Sequence, residues 1–449
     1  MRVHGRTFLV GGAAILGLSV LSLAVPAHAE STAPTVKEQE LERRVADLER
    51  LVKQLSQPAS TASASAAAPA AAAAPAAPKL SPPATANAAA GTTFLYTGYV
   101  KADALFTDTS AGVIAEGTAG RDFYVPGSTP IGGASKNTNL NAHVKQTRLI
   151  LGTDTPLSDD AKDKLSTRVE FDFFGTSLGN QRVTNTFAPT LRHAFVQWRG
   201  WLVGQTWSNF QDVATLVDSV DYIGATDGTV FVRQPQLRYS GGGWSFSAEN
   251  RQATLTPYHG GAQIVSDDGV LPDLTGRYTH KFGWGQLSGA VLVRQLKYRL
   301  LTGKPDDSIN TAAVSFSGKI NIGADDLRFQ VNAGDLGRYV GLNFANDAAI
   351  DANGRFKAIN GYAGFIAYRH VWTPLVRSSL YYGMQHYNND LTLTGADVGR
   401  SSNSWTANLI YAPLPKLEVG GEFRHATRTL ETGANGTLNR LQLMTKYAF

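Results

Sequence analysis

Charged side chains recur at alternate positions in segments whose other positions are apolar. In 165–173, for example, Arg168, Glu170 and Asp172 share one face of a predicted strand, and apolar residues dominate the other face. Arg and Lys on a water-facing wall attract anions, and the guanidinium fork binds carboxylates through two hydrogen bonds. The candidate lining residues are Lys101, Asp103, Arg148, Arg168, Glu170, Asp172, Arg238, Arg277, Arg294, Arg328, Arg377 and Arg424. Bases exceed acids in this set, which favours small anionic solutes.

These residues lie on strands that the period-2 pattern predicts throughout 92–449. We place sixteen of them near 94–106, 144–154, 164–174, 190–199, 201–208, 229–240, 243–251, 273–281, 284–298, 310–321, 326–335, 359–371, 374–387, 402–412, 415–428 and 439–449. Most connections alternate between long and tight, and 429–438 is counted among the long ones. Because lipid leaves no backbone polar group unpaired, this pattern predicts a closed 16-stranded antiparallel transmembrane β-barrel. A soluble β-sandwich is the alternative, but it would not need a polar inner face.

Composition narrows the class of protein further. Only 17% of the 449 residues are charged, below the roughly 25% of soluble domains. The absence of Cys excludes disulfides, thiolate metal sites and cysteine nucleophiles. A formal net charge of +5 is too balanced for a nucleic-acid partner.

The N-terminal quarter has a different organisation from the barrel. Residues 1–29 carry early arginines, an apolar run and an Ala-x-Ala site, which predicts a cleaved signal peptide. Residues 30–57 hold a heptad seam typical of a coiled-coil oligomerisation helix. Its seam residues are Leu41, Val45, Leu48, Val52 and Leu55. Residues 58–91 are an Ala/Pro-rich linker, which precedes the barrel domain, 92–449. The heptads predict self-association but do not decide between a trimer and another oligomer.

The third long connection, 209–228, contains Asp212, Asp218, Asp221 and Asp227. If it folds inward as in general porins, its acids opposite wall arginines would set up a transverse field in a constriction. Two neighbouring segments do not follow clean alternation. Around Arg192 both faces are mixed, and after Arg233 a proline interrupts the ladder. We therefore leave these two arginines out of the predicted lining.

Enzymatic function is not expected. The histidines have no nucleophile elbow or metal-ligand spacing around them, and no phosphate-binding glycine motif occurs. The sequence thus predicts no catalytic residues, no metal site and no cofactor. A sugar-selective or general porin remains an alternative, as does a structural envelope anchor with a plugged barrel.

Several strings resemble those of the DcaP-like outer-membrane porins. They are Gly98–Ala104, Glu170–Gly175, Leu191–Ala194, Gly204–Phe210 and Phe231–Gln236. The resemblance is dense over about 95–250. It implies a homotrimer of sixteen-stranded barrels preceded by a coiled coil, which takes up dicarboxylates and related aromatic acids by passive diffusion.

The ends of the chain suggest partners in the bacterial envelope. The last residue, Phe449, resembles the C-terminal signal that the barrel-assembly machinery reads in outer-membrane barrels. We therefore expect the barrel to lie in lipid of the bacterial outer membrane, with the coiled coil in the periplasm. The linker would let the coiled coil extend toward peptidoglycan.

Overall fold

The computed structural model describes residues 91–160, 163–174, 179–180, 184–299 and 307–449. The predicted signal peptide, the coiled-coil helix and all but the last residue of the predicted linker lie outside these residues. None of the described helices is long and apolar enough to cross a membrane.

Sixteen antiparallel strands follow one another around a closed barrel, as the sequence predicts. They are β1 (Thr93–Thr109), β2 (two segments, Asn137–His143 and Arg148–Pro156), β3 (Lys164–Asp172), β4 (Thr190–Trp198), β5 (Trp201–Trp207), β6 (Arg233–Gly241), β7 (Trp244–Glu249), β8 (Asp273–Phe282), β9 (Gly285–Tyr298), β10 (Asp307–Ile322), β11 (Asp325–Gly334), β12 (Asn360–Thr373), β13 (Val376–Asn388), β14 (Gly399–Leu414), β15 (Leu417–Leu430) and β16 (Asn435–Ala448). The first and last strands pair from Tyr99 opposite Ala448 to Thr109 opposite Leu438. Closure leaves the sheet without a free edge.

Most strand boundaries differ from the predicted ones by a few residues, and two of the differences have identifiable reasons. The strand predicted to begin at 144 starts earlier, since Asn137–His143, predicted as part of a long connection at 107–143, already pairs with β1. Residues 144–147 then leave the sheet and split β2, and the side chain of Thr147 accepts a hydrogen bond of 3.2 Å from the backbone N–H of Lys101. The connection predicted at 429–438 is only 431–434, because β15 and β16 extend further than predicted. Polar residues occupy both faces of these strand ends, so the alternation that identifies a strand is absent there.

Short turns join the strands at one end of the barrel. Arg199 and Gly200 connect β4 to β5, and Gly242 and Gly243 connect β6 to β7. All four residues have positive φ, from 44° to 86°, the conformation that two-residue hairpin turns require. The long connections lie at the other end.

The barrel wall has an apolar outside and a polar inside. On β10 and β11, Phe316 and Val331 are 51% and 55% exposed, whereas Ser317 and Gln330 are buried. A soluble protein would bury the apolar members of these pairs. The inverted arrangement is the one that a hydrocarbon environment stabilises.

Long connections fold into the barrel and pack there. L1 (110–136) includes a short helix, Ala119–Asp122, and a 3-10 turn, Pro126–Ser128. L3 (208–232) includes 3-10 turns at Val213–Thr215 and Thr226–Gly228. Their packing places buried apolar residues, such as Phe210 of L3, inside the barrel.

Further short elements lie in the other connections. Four short strands, Ala253–Thr256, Ile264–Ser266, Ala348–Ile350 and Phe356–Ala358, form a separate sheet. Smaller elements are Gly179–Asn180 paired with Thr186–Phe187, the 3-10 turn Gly337–Tyr339 and the helix Leu391–Thr394. The loop residues Leu336 and Tyr339 join Phe210 in one buried cluster against the wall.

Candidate solute-binding site in the barrel interior

Strand alternation puts the twelve predicted lining residues on the inner face of the wall. The residues that alternate with them along the strands are mostly apolar and more exposed, and they form the outer face. The structure does not gather them into one site. Some belong to a charge cluster beside L3, others hold the long connections against the wall, and two have no ion-pair partner within the described part of the chain.

The charge cluster joins β2, β3 and β4. Arg192 lies between Glu170 and Asp172, with Nε 2.6 Å from Glu170 Oε1 and Nη1 2.9 Å from Asp172 Oδ2. Arg148 contacts the same two carboxylates at 3.3 and 3.4 Å. Tyr222 of L3 completes the cluster, since its hydroxyl donates to Asp172 Oδ2 at 3.0 Å. Two arginines and two acids make this cluster formally neutral.

Arg192 escaped the sequence analysis because β4 is bulged. The register between β3 and β4 shifts at Glu170 and Phe171, where Arg192 and His193 both turn inward and are buried. A bulge inserts an extra residue and breaks strict alternation. The irregular alternation of polar and apolar residues around Arg192 was the only indication of this bulge in the sequence.

Arg233 begins β6 and is the second arginine that the predicted lining omits. Its guanidinium carbon lies 4.7 Å from the ring centre of Trp207 and 5.4 Å from that of Phe231. Nη1 is buried and has no hydrogen-bond partner among the described residues. Trp207 and Phe231 also contact each other, with centroids 4.7 Å apart, and Tyr222 lies 5.8 Å from Phe231. Arg233 is therefore a cation supported by aromatic faces.

Arg238 of β6 and Arg277 of β8 are the predicted residues without an ion pair. The acids that act on them, Glu249 and Asp212, lie beyond 4.0 Å. Glu249 instead accepts hydrogen bonds from the side chain of Gln234 and the backbone N–H of Asn209. Arg277 donates to the backbone oxygen of Gln211 at 2.6 Å. With Arg233, these residues form a basic arc on β6 and β8.

Two predicted arginines hold L3 against the opposite wall. Arg377 pairs with Asp218 of L3 at 2.6 Å and with Glu418 of β15 at 2.7 Å. Arg424 lies 3.5 Å from Asp221 and donates to the backbone oxygen of Gly224 at 2.7 Å. These L3 acids therefore face the wall behind the loop, where arginines neutralise them.

The other two predicted L3 acids also bond to the wall or to the loop itself. Asp212 accepts from Ala214 N at 3.1 Å and from Ser317 Oγ at 3.0 Å. Asp227 accepts from Ser404 Oγ at 2.5 Å and from Tyr124 Oη at 2.9 Å. Burial raises the pKa of Asp227, and hydrogen bonds from its partners offset part of that rise.

Further predicted residues are paired elsewhere on the wall. Arg294 contacts Asp347 at 2.5 Å and Asp273 at 3.2 Å, which ties the connection 335–359 to β8 and β9. Arg328 pairs with Asp326 at 2.5 Å and donates to a backbone oxygen of L3.

The last two predicted bases, Lys101 and Arg168, also form ion pairs. Lys101 pairs with Asp103 at 2.9 Å and donates to the backbone oxygen of Val220 in L3 at 2.7 Å. Arg168 pairs with Asp154 at 2.9 Å, near the short-turn end.

The match to a protein family is extensive. The model of the DcaP outer membrane protein family matches residues 79–449. The chain belongs to the DcaP outer membrane protein family. The resemblance stated from the sequence is thereby confirmed, and membership places the chain among outer membrane proteins.

The chain is also similar to solved structures. The crystal structure of the outer membrane channel DcaP of Acinetobacter baumannii is similar, with a TM-score of 0.66 and 25% identity over 81% of this chain and 99% of that chain. Salmonella typhi OmpF in complex with daunomycin has a TM-score of 0.49 and 11% identity, covering 80% of this chain and 98% of that chain. In-vitro folded Vibrio cholerae OmpT has a TM-score of 0.48 and 12% identity, with the same coverage of 80% and 98%. No curated protein matched the sequence.

Proposed function

We propose that this DcaP-family protein is a porin that lets small anionic solutes, dicarboxylates or aromatic acids, diffuse passively across the outer membrane. The observation that carries the proposal is the basic arc of Arg233, Arg238 and Arg277. None of the three has a carboxylate within 4.0 Å among the described residues, so their charge is available to a solute.

The position of the arc favours binding over mere attraction. Arg238 and Arg277 are partly exposed inside the barrel, whereas the arginines that hold L3 are occupied by loop acids. A carboxylate that reaches the arc would gain charge-assisted hydrogen bonds without breaking an existing ion pair. An approach to Arg424, in contrast, would compete with Asp221.

The surroundings of Arg233 favour acids with a flat apolar body. The rings of Trp207 and Phe231 lie beside its guanidinium, and the ring of Tyr222 lies 5.8 Å from that of Phe231. An aromatic ring can pack there while its carboxylate meets Arg233, because aromatic contacts and the ion pair act on different parts of the solute. The same rings could stack on a sugar, so saccharides remain the comparison in the test.

The test is the reversal potential of the mature protein in a planar bilayer under a salt gradient, followed by addition of succinate, phthalate or maltose. We expect anion selectivity, with current interruptions caused by the two acids and none caused by maltose. Cation selectivity with block by maltose would assign the cargo to saccharides. Absence of conductance would assign the protein to the plugged anchor.

Assembly and placement in the envelope are part of the proposal. We propose a homotrimer in lipid, joined by the predicted heptads in the periplasm, with the linker reaching toward peptidoglycan. Phe449 supports recognition by the barrel-assembly machinery, because it directly follows β16 at the barrel seam. Its backbone N–H donates to Gly98 at 3.0 Å, and its ring lies 5.5 Å from that of Tyr96. Cross-linking of the full chain would reveal the trimer, and deletion of 30–57 should weaken it.

A further inference from the structure

A small cavity where β1, β2, β16 and L1 meet has an unusual set of charges. It is lined by two arginines, Arg121 and Arg440, by two asparagines, Asn137 and Asn139, and by two threonines, Thr107 and Thr109. Its volume is about 10 Å³, room for one water-sized particle. No carboxylate is among the described residues that line it. The cavity therefore offers donors and positive charge without a counter-charge.

Arg440 supplies the strongest feature of this cavity. The residue is only 2% exposed. Its Nε donates to Thr107 Oγ1 at 2.9 Å, and its Nη2 donates to the backbone oxygen of Gly120 at 2.6 Å. Nη1 is buried and lacks a hydrogen-bond partner among the described residues. An unsatisfied buried donor on a charged group costs on the order of 1–3 kcal/mol or more, so a partner in the cavity would be stabilising.

The nearby acids are already committed to other bases. Asp122 and Asp221 act electrostatically on Arg440, but Asp122 pairs with Lys145 at 2.7 Å and Asp221 lies 3.5 Å from Arg424. Arg294, which is equally buried, has two carboxylates of its own within 3.2 Å. Buried charges are normally paired. Among the described residues no carboxylate comes within 4.0 Å of Arg440, and Asp122 and Asp221 act on it from beyond that distance. An anion in the cavity would supply the missing close partner.

We propose that this cavity binds a single monatomic anion, chloride in the cell, with Arg440 Nη1 as its main ligand. A water molecule could satisfy Nη1 but would leave the buried charge uncompensated. Chloride is somewhat larger than a water molecule, so its side-chain ligands would move apart slightly to admit it, whereas a polyatomic anion such as phosphate would need far more room. The proposal goes beyond solute uptake, because the anion is a resident of the wall and not a cargo.

The bound anion would brace L1. The lining residues come from β1, β2, β16 and L1, so one ion contacts four elements. L1 in turn supplies Tyr124, whose ring lies 4.5 Å from the guanidinium of Arg424 and whose hydroxyl bonds to Asp227 of L3. An anion that holds L1 in place would thereby also stabilise L3, through the contacts of Tyr124.

The decisive experiment is crystallography of the full mature protein in bromide, which replaces chloride and scatters anomalously. We expect an anomalous peak in the cavity within hydrogen-bonding distance of Arg440 Nη1. A cavity that is empty, or that contains density without anomalous signal, would overturn the proposal. This experiment needs no substitution, so a variant that fails to fold cannot obscure the answer.

A matched pair of variants tests the link to L1. Arg440→Gln removes the ligand, and Arg428→Gln is the control, because Arg428 also bonds to L1, through the oxygens of Gly127 and Thr129, but does not line the cavity. The readout is tryptic cleavage after Arg121 in chloride compared with gluconate at equal ionic strength. At a chloride concentration ten times its Kd, the wild type and the control should both be cleaved about tenfold more slowly than in gluconate, because the bound anion makes local opening of L1 less frequent. Arg440→Gln should be cleaved at the same rate in both salts. Equal rates in both salts for the wild type would refute the brace.

Discussion

Replacing Arg238 and Arg277 with Gln tests whether the basic arc selects anions. Neither side chain forms an ion pair with any residue that the structure describes, so the double variant removes two charges without releasing a buried carboxylate. A unit charge about 5 Å from a permeating ion contributes ~0.8 kcal/mol in water. Screening at 0.1 M salt lowers this to about 0.5 kcal/mol, because the Debye length there is about 10 Å.

The effect on selectivity follows from the sign of each ion. The charge favours an anion and disfavours a cation by the same amount, so one arginine changes the anion-to-cation permeability ratio about fivefold. Both together should lower the ratio by at least one order of magnitude. The assay is the reversal potential in a planar bilayer under a salt gradient at about 0.1 M, where screening leaves the effect measurable.

The control removes two charges outside the barrel interior. Lys136→Gln and Lys416→Gln change an exposed residue of L1 and an exposed residue of a short turn. The control should keep the selectivity of the wild type. If the Arg238 and Arg277 variant also kept it, while both variants formed trimers with normal conductance, the arc would not be the selecting element.

Three further predictions concern L3 and the barrel. Gly228→Ala should loosen L3 and increase open-channel current noise, because a Cβ there would lie 2.1 Å from the backbone oxygen of Gly364. Gly289→Ala is the control and should leave the current noise unchanged, because a Cβ at that position meets no described atom within 4 Å. Acidification from pH 7 to 5 should not release L3 through Asp221 or Asp227. Burial raises both pKa values above that of an unfolded chain, so the docked loop binds more protons and gains stability as pH falls; more frequent closures at pH 5 would contradict this sign. Deletion of 30–91 should leave the heat-modifiable migration of the barrel on a gel intact, since β1 begins at Thr93; loss of that migration would show that the barrel needs the N-terminal region.

The sequence was sufficient to predict the barrel and to predict, for most strand residues, whether the side chain faces the interior or the lipid. Alternation in β1 places Lys101 and Asp103 inside and Val100 outside, and the structure agrees. The pattern is this informative because the wall is one residue thick, with lipid-compatible residues on one side and polar residues on the other. It failed where backbone geometry departs from a plain ladder, as in the bulge beside Arg192 and the gap in β2.

The sequence could not show which inward bases keep their charge available. Arg377 and Arg238 look alike in their strands, but Asp218 reaches Arg377, and no described carboxylate comes within 4.0 Å of Arg238. The difference depends on the path of L3 inside the barrel. Contacts across 159 residues of chain, as between Asp218 and Arg377, leave no local pattern in the sequence.

The path of L3 explains why an excess of basic residues on the wall ends as a localised basic arc. The loop leaves β5, and its acids pair with Arg377 of β13 and Arg424 of β15, so these two arginines are neutralised. Glu249 of β7 accepts a hydrogen bond from the backbone N–H of Asn209, near the start of L3, and lies more than 4.0 Å from Arg238. Among Arg233 and the described bases of the predicted lining, those without a carboxylate within 4.0 Å therefore lie on β6 and β8. A solute that prefers this side should lose that preference when the arc is removed, but not when Arg377 and Asp218 are replaced together by Gln and Asn, since that pair contributes no net charge.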